Sequence, residues 1–326
     1  MKMTHKERAV AALNRRQPDF VPTFELEFQL EEEMFGRKFI TDELLPSRLA
    51  VMSETEKRRA IDGLADYMVQ VYDALEYSII PGLVLGDAAD FWNGQPLPQE
   101  TKWLISALRE RVGDTQMIHY HGDGTFAIPD GAGIMEFAYG IADDPDGMKE
   151  KAENMANAAI ERNKYLAAAG VDCLILCSDY CFNSGPFVSP AMFAEYIQPY
   201  LARIIEAARS EGLYTIKHTD GNIMPILDQL VDCHPHALHS LDPMAGVDIR
   251  DFKQKVGDQV CLCGNVDCSL MQTGTEEQVI ESARYCLTHG KPVGGYFFAT
   301  SNVPFKGLPP ERYQLILDVW KQMRDY

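Results

Sequence analysis

Short apolar runs and amphipathic stretches alternate along most of this chain, and that alternation restricts its fold more than any other feature. The second half shows it best. Asp172–Asp179 is a nearly continuous apolar run, the pattern of a strand covered on both faces. Leu213–Gly221, Ala237–Pro243, Gln259–Asp267 and Gly294–Asn302 read as further strands. Between and after them lie helical patterns over Pro190–Ser210, Met224–Val231, Ile249–Val256, Glu276–Thr288 and Pro310–Arg324. In the first half, Thr4 and Glu7 form a capping-box signature ahead of a helix over 4–15. Val21–Phe28, Tyr77–Gly82 and Met117–Gly122 read as strands, and 54–75 and Pro145–Gly170 as helices, the last ending on a Gly C-cap. Strands that alternate with helices build parallel βαβ units. About eight of them in 326 residues predict an α/β protein, a (β/α)8 TIM-type barrel, with residues 1–326 forming a single barrel domain carrying an N-terminal helical extension. No GxGxxG or GxxxxGK[ST] follows the first strand, which argues against dinucleotide and P-loop chemistry.

Charge removes other classes. The formal net charge is −18, so the chain lacks the basic surface that phosphate backbones need, and nucleic acid is not an expected partner. No apolar run approaches the roughly 20 residues of a membrane span. The first 16 residues lack a signal-peptide core, so a cytoplasmic protein is expected. The eight cysteines contain no CxxC pair and read as reduced, mostly buried thiols.

In a barrel of this kind chemistry sits on the loops at the C-terminal ends of the strands. Polar clusters recur at those predicted ends. In KHTDGN, His218 and Asp220 are two apart and share a face of the strand end, an imidazole beside a carboxylate suited to acid–base work or metal ligation. The competing reading makes Asp220 a helix cap and His218 a core histidine. In SDYCFNSGPF, Asp179 and Tyr180 end a buried run, and Tyr180 is a candidate hydrogen-bond donor to a developing oxyanion. Asn183, in the following turn, is a candidate for holding substrate. Glu25 and Glu27 share one face of FELEFQL, and His121, Asn222, Asn265 and Asn302 stand at other predicted strand ends; all are candidates for holding substrate. Cys263 lies on one face of its strand with Cys261 and Asn265, within the residue types that ligate zinc.

Those segments carry a resemblance. THKERAVAALNRRQPDFVP, SDYCFNSGPFVSPAMFAEYIQPYL, HTDGN, LDPMAGVD, CGNVD and GGYFFATSN are similar to segments of the uroporphyrinogen decarboxylase superfamily, over nearly the whole chain. True uroporphyrinogen decarboxylases grip their polycarboxylate substrate with an arginine-rich segment after the first strand. Here that segment is FELEFQLEEEMFG, with no Arg. The chain therefore resembles the other branch more, the corrinoid-dependent methyltransferases of the O-demethylase type. The resemblance implies transfer of a methyl group from a small donor, an aryl methyl ether, to the cobalt of a separate corrinoid protein, since no DxHxxG corrinoid-binding motif is present. It leaves room for a homodimer. The alternatives are a decarboxylase acting on a smaller carboxylic acid, or a barrel that only binds a ligand. Thiol-methylating members hold zinc through a His-x-Cys pair and a later Cys; here Asp220 replaces the first Cys and Ala299-Thr300-Ser301 stands where the later one is expected. Zinc on His218, with Asp220 or Cys263, remains open. His218 and Asp220, assisted by Asp179 and Tyr180, are the expected catalytic groups.

Overall fold

The computed structural model describes residues 2–326. Seven strands form one sheet: β1 (Ile79–Pro81), β2 (Met117–His121), β3 (Cys173–Cys177), β6 (Tyr214–His218), β7 (Ala237–His239), β8 (Cys261–Cys263) and β9 (Tyr296–Phe297). Every neighbouring pair is parallel, in that order. A small antiparallel hairpin, β4 (Cys181–Phe182) and β5 (Gly185–Pro186), interrupts the run after β3. Helices fill the crossovers, so each strand points the same way and all C-terminal ends lie at one edge.

Alternation along each strand divides the buried residues into two layers. Met117, Cys173, Ile175, Ile216, Ala237, Cys261, Cys263 and Phe297 gather in one apolar cluster with Phe24 and Leu26. Their neighbours Ile118, Leu174, Leu176, Leu238 and Leu262 belong to the cluster shared with the helices. Burial on both faces is why β3 reads as an unbroken apolar run. The helix His5–Leu13, closed by the expected Thr4–Glu7 capping box, adds Ala9, Ala12 and Leu13 to the inner cluster. Lys6 reaches Asp172, just ahead of β3, at 2.7 Å, which places this helix at the N-terminal edge of the sheet.

The sheet curls until both edges meet one segment. Thr23 makes single parallel bridges to Tyr77, beside β1, and to Phe298, beside β9. The Ser78 amide donates to Thr23 O at 2.8 Å and the Phe298 amide to Pro22 O at 3.0 Å. The strand expected over Val21–Phe28 is thus reduced to bridges at single residues. Pro22 has no N–H to give a ladder, and the Thr300 amide, the next donor along that edge, is taken by the Glu25 carboxylate at 3.1 Å.

Other expected elements shift for local reasons. The helix expected over Pro190–Ser210 is two, Pro190–Tyr196 and Gln198–Ser210, broken at Ile197 (φ −128°, ψ −56°), because Pro199 has no N–H for an unbroken ladder. The helices Gln99–Val112 and Gly133–Asp143 were not anticipated. No helix among the described residues is long and apolar enough to cross a membrane. All eight cysteines are free, and only Cys177 and Cys268 are not buried.

Candidate active site

Register brings the central residues together. Cys177 on β3 pairs with His218 on β6, so Asp179 and Asp220, each two residues further, follow on the same face. The Asp220 amide donates to Asp179 Oδ1 at 3.0 Å. His218 Nε2 stands 3.7 Å from Asp179 Oδ1 and 3.7 Å from Asp220 Oδ1. One ligand atom from each of the three residues fits within a 4.8 Å cluster. Ser240 Oγ donates to one Asp220 oxygen at 2.7 Å, and Asn302 Nδ2 donates to the other at 2.6 Å. Asp220 is therefore aimed from two sides, by the loops after β7 and β9.

The electrostatics follow from burial. The His218 imidazole is pushed down to about 3, by burial first and then by the Lys217 and His121 charges. Burial raises Asp220 to about 6, helped by the neighbouring charges of Asp179 and Asp242 against the Ser240 hydrogen bond. His239 is in register with His218, and their Nδ1 atoms are 2.8 Å apart. Burial holds His239 well below the usual imidazole range. Phe24 packs against both His239 and His119, and His119 is also lowered to about 3 by burial, with neither ring nitrogen hydrogen-bonded. His119 and His121 line a hollow of about 460 Å³ with apolar walls that include Leu26, Phe28, Phe39 and Tyr120.

The other anticipated residues divide by strand parity. His121, half-buried, faces Glu27 at 3.5 Å on the rim of that hollow. Asn302 enters the site through Asp220, not as a free group. Asn183 is exposed in the β4–β5 turn, and Asn222 accepts from the Met224 amide two residues on at 3.1 Å, just ahead of a short helical turn. Four expectations are corrected. Tyr180, one residue from Asp179, points to the opposite face. It is fully buried, its hydroxyl 2.5 Å from Thr125 Oγ1 and its ring under the Lys217 ammonium. Glu25, between the inward Phe24 and Leu26, is turned outward to Thr300 and Tyr313, where burial pushes its carboxyl up to about 8. Asn265 leaves the inner face because Gly264, at φ +126°, breaks the alternation; its amide donates to Leu241 O at 2.6 Å. Cys263 is sealed in the inner cluster and stands outside the group formed by Asp179, His218 and Asp220. Ser240 was not singled out as a site residue, since nothing in the sequence separates a strand-end Ser from a functional one. Lys217, whose ammonium is buried and 2.8 Å from Asp123, ties β6 to the loop after β2.

The residues present suit a divalent cation. One imidazole nitrogen and two carboxylates converge, His218 is oriented through its second nitrogen, and Asp220 through its second oxygen, the outer support that ligands of catalytic ions carry.

The whole chain is similar in fold to a methyltransferase from Methanosarcina mazei, with a TM-score of 0.74 at 17% identity over 98% of this chain and 99% of that one. A sugar phosphate isomerase/epimerase from Parabacteroides distasonis aligns at a TM-score of 0.40 and 10% identity, over 92% and 95% of the two chains. No curated relative matches the sequence. Residues 127–323, more than half of the chain and including Asp179, His218 and Asp220, match the uroporphyrinogen decarboxylase (URO-D) family model. The chain belongs to the uroporphyrinogen decarboxylase family.

Proposed function

We propose that this protein is a methyltransferase that takes a methyl group from an aryl methyl ether and passes it to the cobalt of a separate corrinoid protein. The convergence of Asp179, His218 and Asp220 at the C-terminal edge of the sheet carries this reading. Three further observations support it. The fold matches a methyltransferase end to end. The segment after Thr23, FELEFQLEEEMFG, offers no Arg to a polycarboxylate. The 460 Å³ hollow at His119 and His121, whose lining does not include Asp179, His218 or Asp220, has walls suited to an aromatic ring. We also read residues 1–326 as one domain, a barrel whose eighth position is held by the Thr23 bridges, in the cytoplasm.

The chemical demand is a better leaving group, because an aryl oxide departs poorly as a free anion. The corrinoid supplies the nucleophile that accepts the methyl carbon, and the C–O bonding pair stays on the oxygen. Asp220, held by Ser240 and Asn302, delivers a proton from its carboxyl oxygen to that oxygen as the bond breaks. His218 Nε2–H donates to the ether oxygen and holds it against Asp220, while Asp179 accepts from the Asp220 amide and fixes the two strand ends together. A zinc ion, if held by Asp179, His218 and Asp220, would supply Lewis-acid polarisation of the same oxygen.

The test follows corrinoid absorbance with a panel of methoxylated aromatics and a reduced corrinoid protein. Methylation of the corrinoid with release of the phenol is expected. Release of CO2 from a small carboxylic acid, with no methyl transfer from any donor, overturns the reading in favour of a decarboxylase. Zinc content of the purified protein, and activity in chelator, decide separately whether a metal takes part.

A further inference from the structure

His218 and His239 occupy paired positions on adjacent parallel strands, with ring centroids 5.0 Å apart and planes tilted by 43°. Their Nδ1 atoms are 2.8 Å apart, a hydrogen-bond distance. A ring nitrogen either carries a proton or offers a lone pair. Such a contact therefore holds one proton between the two rings. With two protons on the pair and one of them held in the contact, the two rings adopt opposite tautomers. If His218 carries its proton on Nδ1, His239 carries its own on Nε2. If His218 carries it on Nε2, His239 carries it on Nδ1.

The outer nitrogens are in unlike surroundings. His218 Nε2 faces two carboxylates, each 3.7 Å away. His239 Nε2 is buried with no partner, in a ring packed 5.9 Å from Phe24. Next to two carboxylates with no cation between them, an N–H at His218 Nε2 is favoured over a lone pair. A cation held by those carboxylates reverses the preference, since it needs the lone pair.

We propose that His239 is a positioning residue whose tautomer is locked to that of His218, so that it reports and supports cation binding at Asp179, His218 and Asp220 without touching the ion. Without a cation, His239 donates Nδ1–H to His218. With one, His218 Nε2 releases its proton to solvent, the shared proton passes from His239 Nδ1 to His218 Nδ1, and His239 Nε2 takes up one proton from solvent. The pair loses and gains one proton, so its charge is unchanged. The lock itself rests only on the hydrogen bond; its response to a cation rests on the metal option within the proposed function.

The experiment is a long-range proton–nitrogen NMR spectrum of the 15N-histidine-labelled protein, metal-free and after zinc addition. His218→Asn and His239→Asn assign the two signals. In the metal-free protein the rings are expected as opposite tautomers; finding both as Nε2–H overturns the lock. On zinc addition His239 is expected to change from Nδ1–H to Nε2–H, and an unchanged His239 in a zinc-bound protein overturns the coupling. If zinc does not bind, the metal option fails, while the metal-free spectrum still decides the lock. Cobalt(II) titration supplies a second readout. His239→Leu is expected to weaken binding about 10- to 100-fold, the usual cost of losing an outer-shell partner. His239→Asn, whose carbonyl accepts from His218 Nδ1, is expected to recover most of that loss. Wild-type affinity in His239→Leu overturns the supporting role.

Discussion

Asp179 and Tyr180 are adjacent in sequence, yet only one of them faces the site. The difference is the two-residue period of a strand, which turns the Tyr180 phenol into the helix-covered layer. Replacing it should therefore cost structure and not catalysis. Tyr180→Phe is expected to keep kcat within about threefold and to lower stability by about 1 kcal/mol, the usual worth of one buried hydrogen bond. A loss of kcat at unchanged stability would return the phenol to the reaction. His218→Ala differs in its effect on the reaction. It should reduce turnover by about two orders of magnitude or more, beyond the roughly 1–3 kcal/mol of stability lost with its buried hydrogen bond to His239. Glu25 provides the pH signature. Its folded pKa of about 8 lies above the ordinary value of 4.5, so the folded state holds the proton more tightly. The stabilisation is complete below pH 4.5 and is lost as pH rises toward 8, by about 1.4 kcal/mol per unit while only the unfolded chain is ionised. Urea midpoints of wild type and Glu25→Gln compared between pH 5.5 and 7.5 should diverge, with the wild type losing more. Parallel pH curves would mean that Glu25 is ionised in the folded protein.

Among the elements, glycines decide where the strands end. Gly221, at φ +81°, leads the chain out of β6 and passes the β4–β5 hairpin so closely that an added Cβ would lie 2.3 Å from Cys181 O. Gly221→Ala is expected to destabilise the protein by on the order of 2 kcal/mol, through strain and the displaced hairpin. Limited proteolysis should then cut first within residues 181–186, and an unchanged digestion pattern would show that the hairpin moves freely from β6. Gly264 does something different at β8, where its φ of +126° turns Asn265 away from the inner face. Residue type suggests that a glycine bends the chain, but not toward which face the next side chain goes. The break at Ile197 is similar in kind. Pro199 is visible in the sequence, but Pro is tolerated in a helical first turn, and only the packed structure shows that a second helix begins there.

For the molecule as a whole, a net charge of −18 affects how any protein partner approaches. If the proposed corrinoid protein presents a basic face, association is steered, and raising salt should slow it without altering the methyl-transfer step. Stopped-flow rates at several protein concentrations and ionic strengths separate the two, and salt-independent association would exclude steering. The alternation of apolar runs and helices was sufficient for the parallel α/β architecture, because a strand buried on both faces must be apolar throughout and its crossover must be covered. The pairing of His218 with Asp220 was legible for the same reason, since residues two apart share a face in any strand. Tertiary structure alone decided the rest. Register across β3 and β6 set Asp179 opposite Asp220; the loops after β7 and β9 brought in Ser240 and Asn302; and the β6–β7 register placed His239 against His218. These contacts join residues 20 to 82 positions apart, and their geometry depends on the relative slide and curl of strands, which no local pattern encodes.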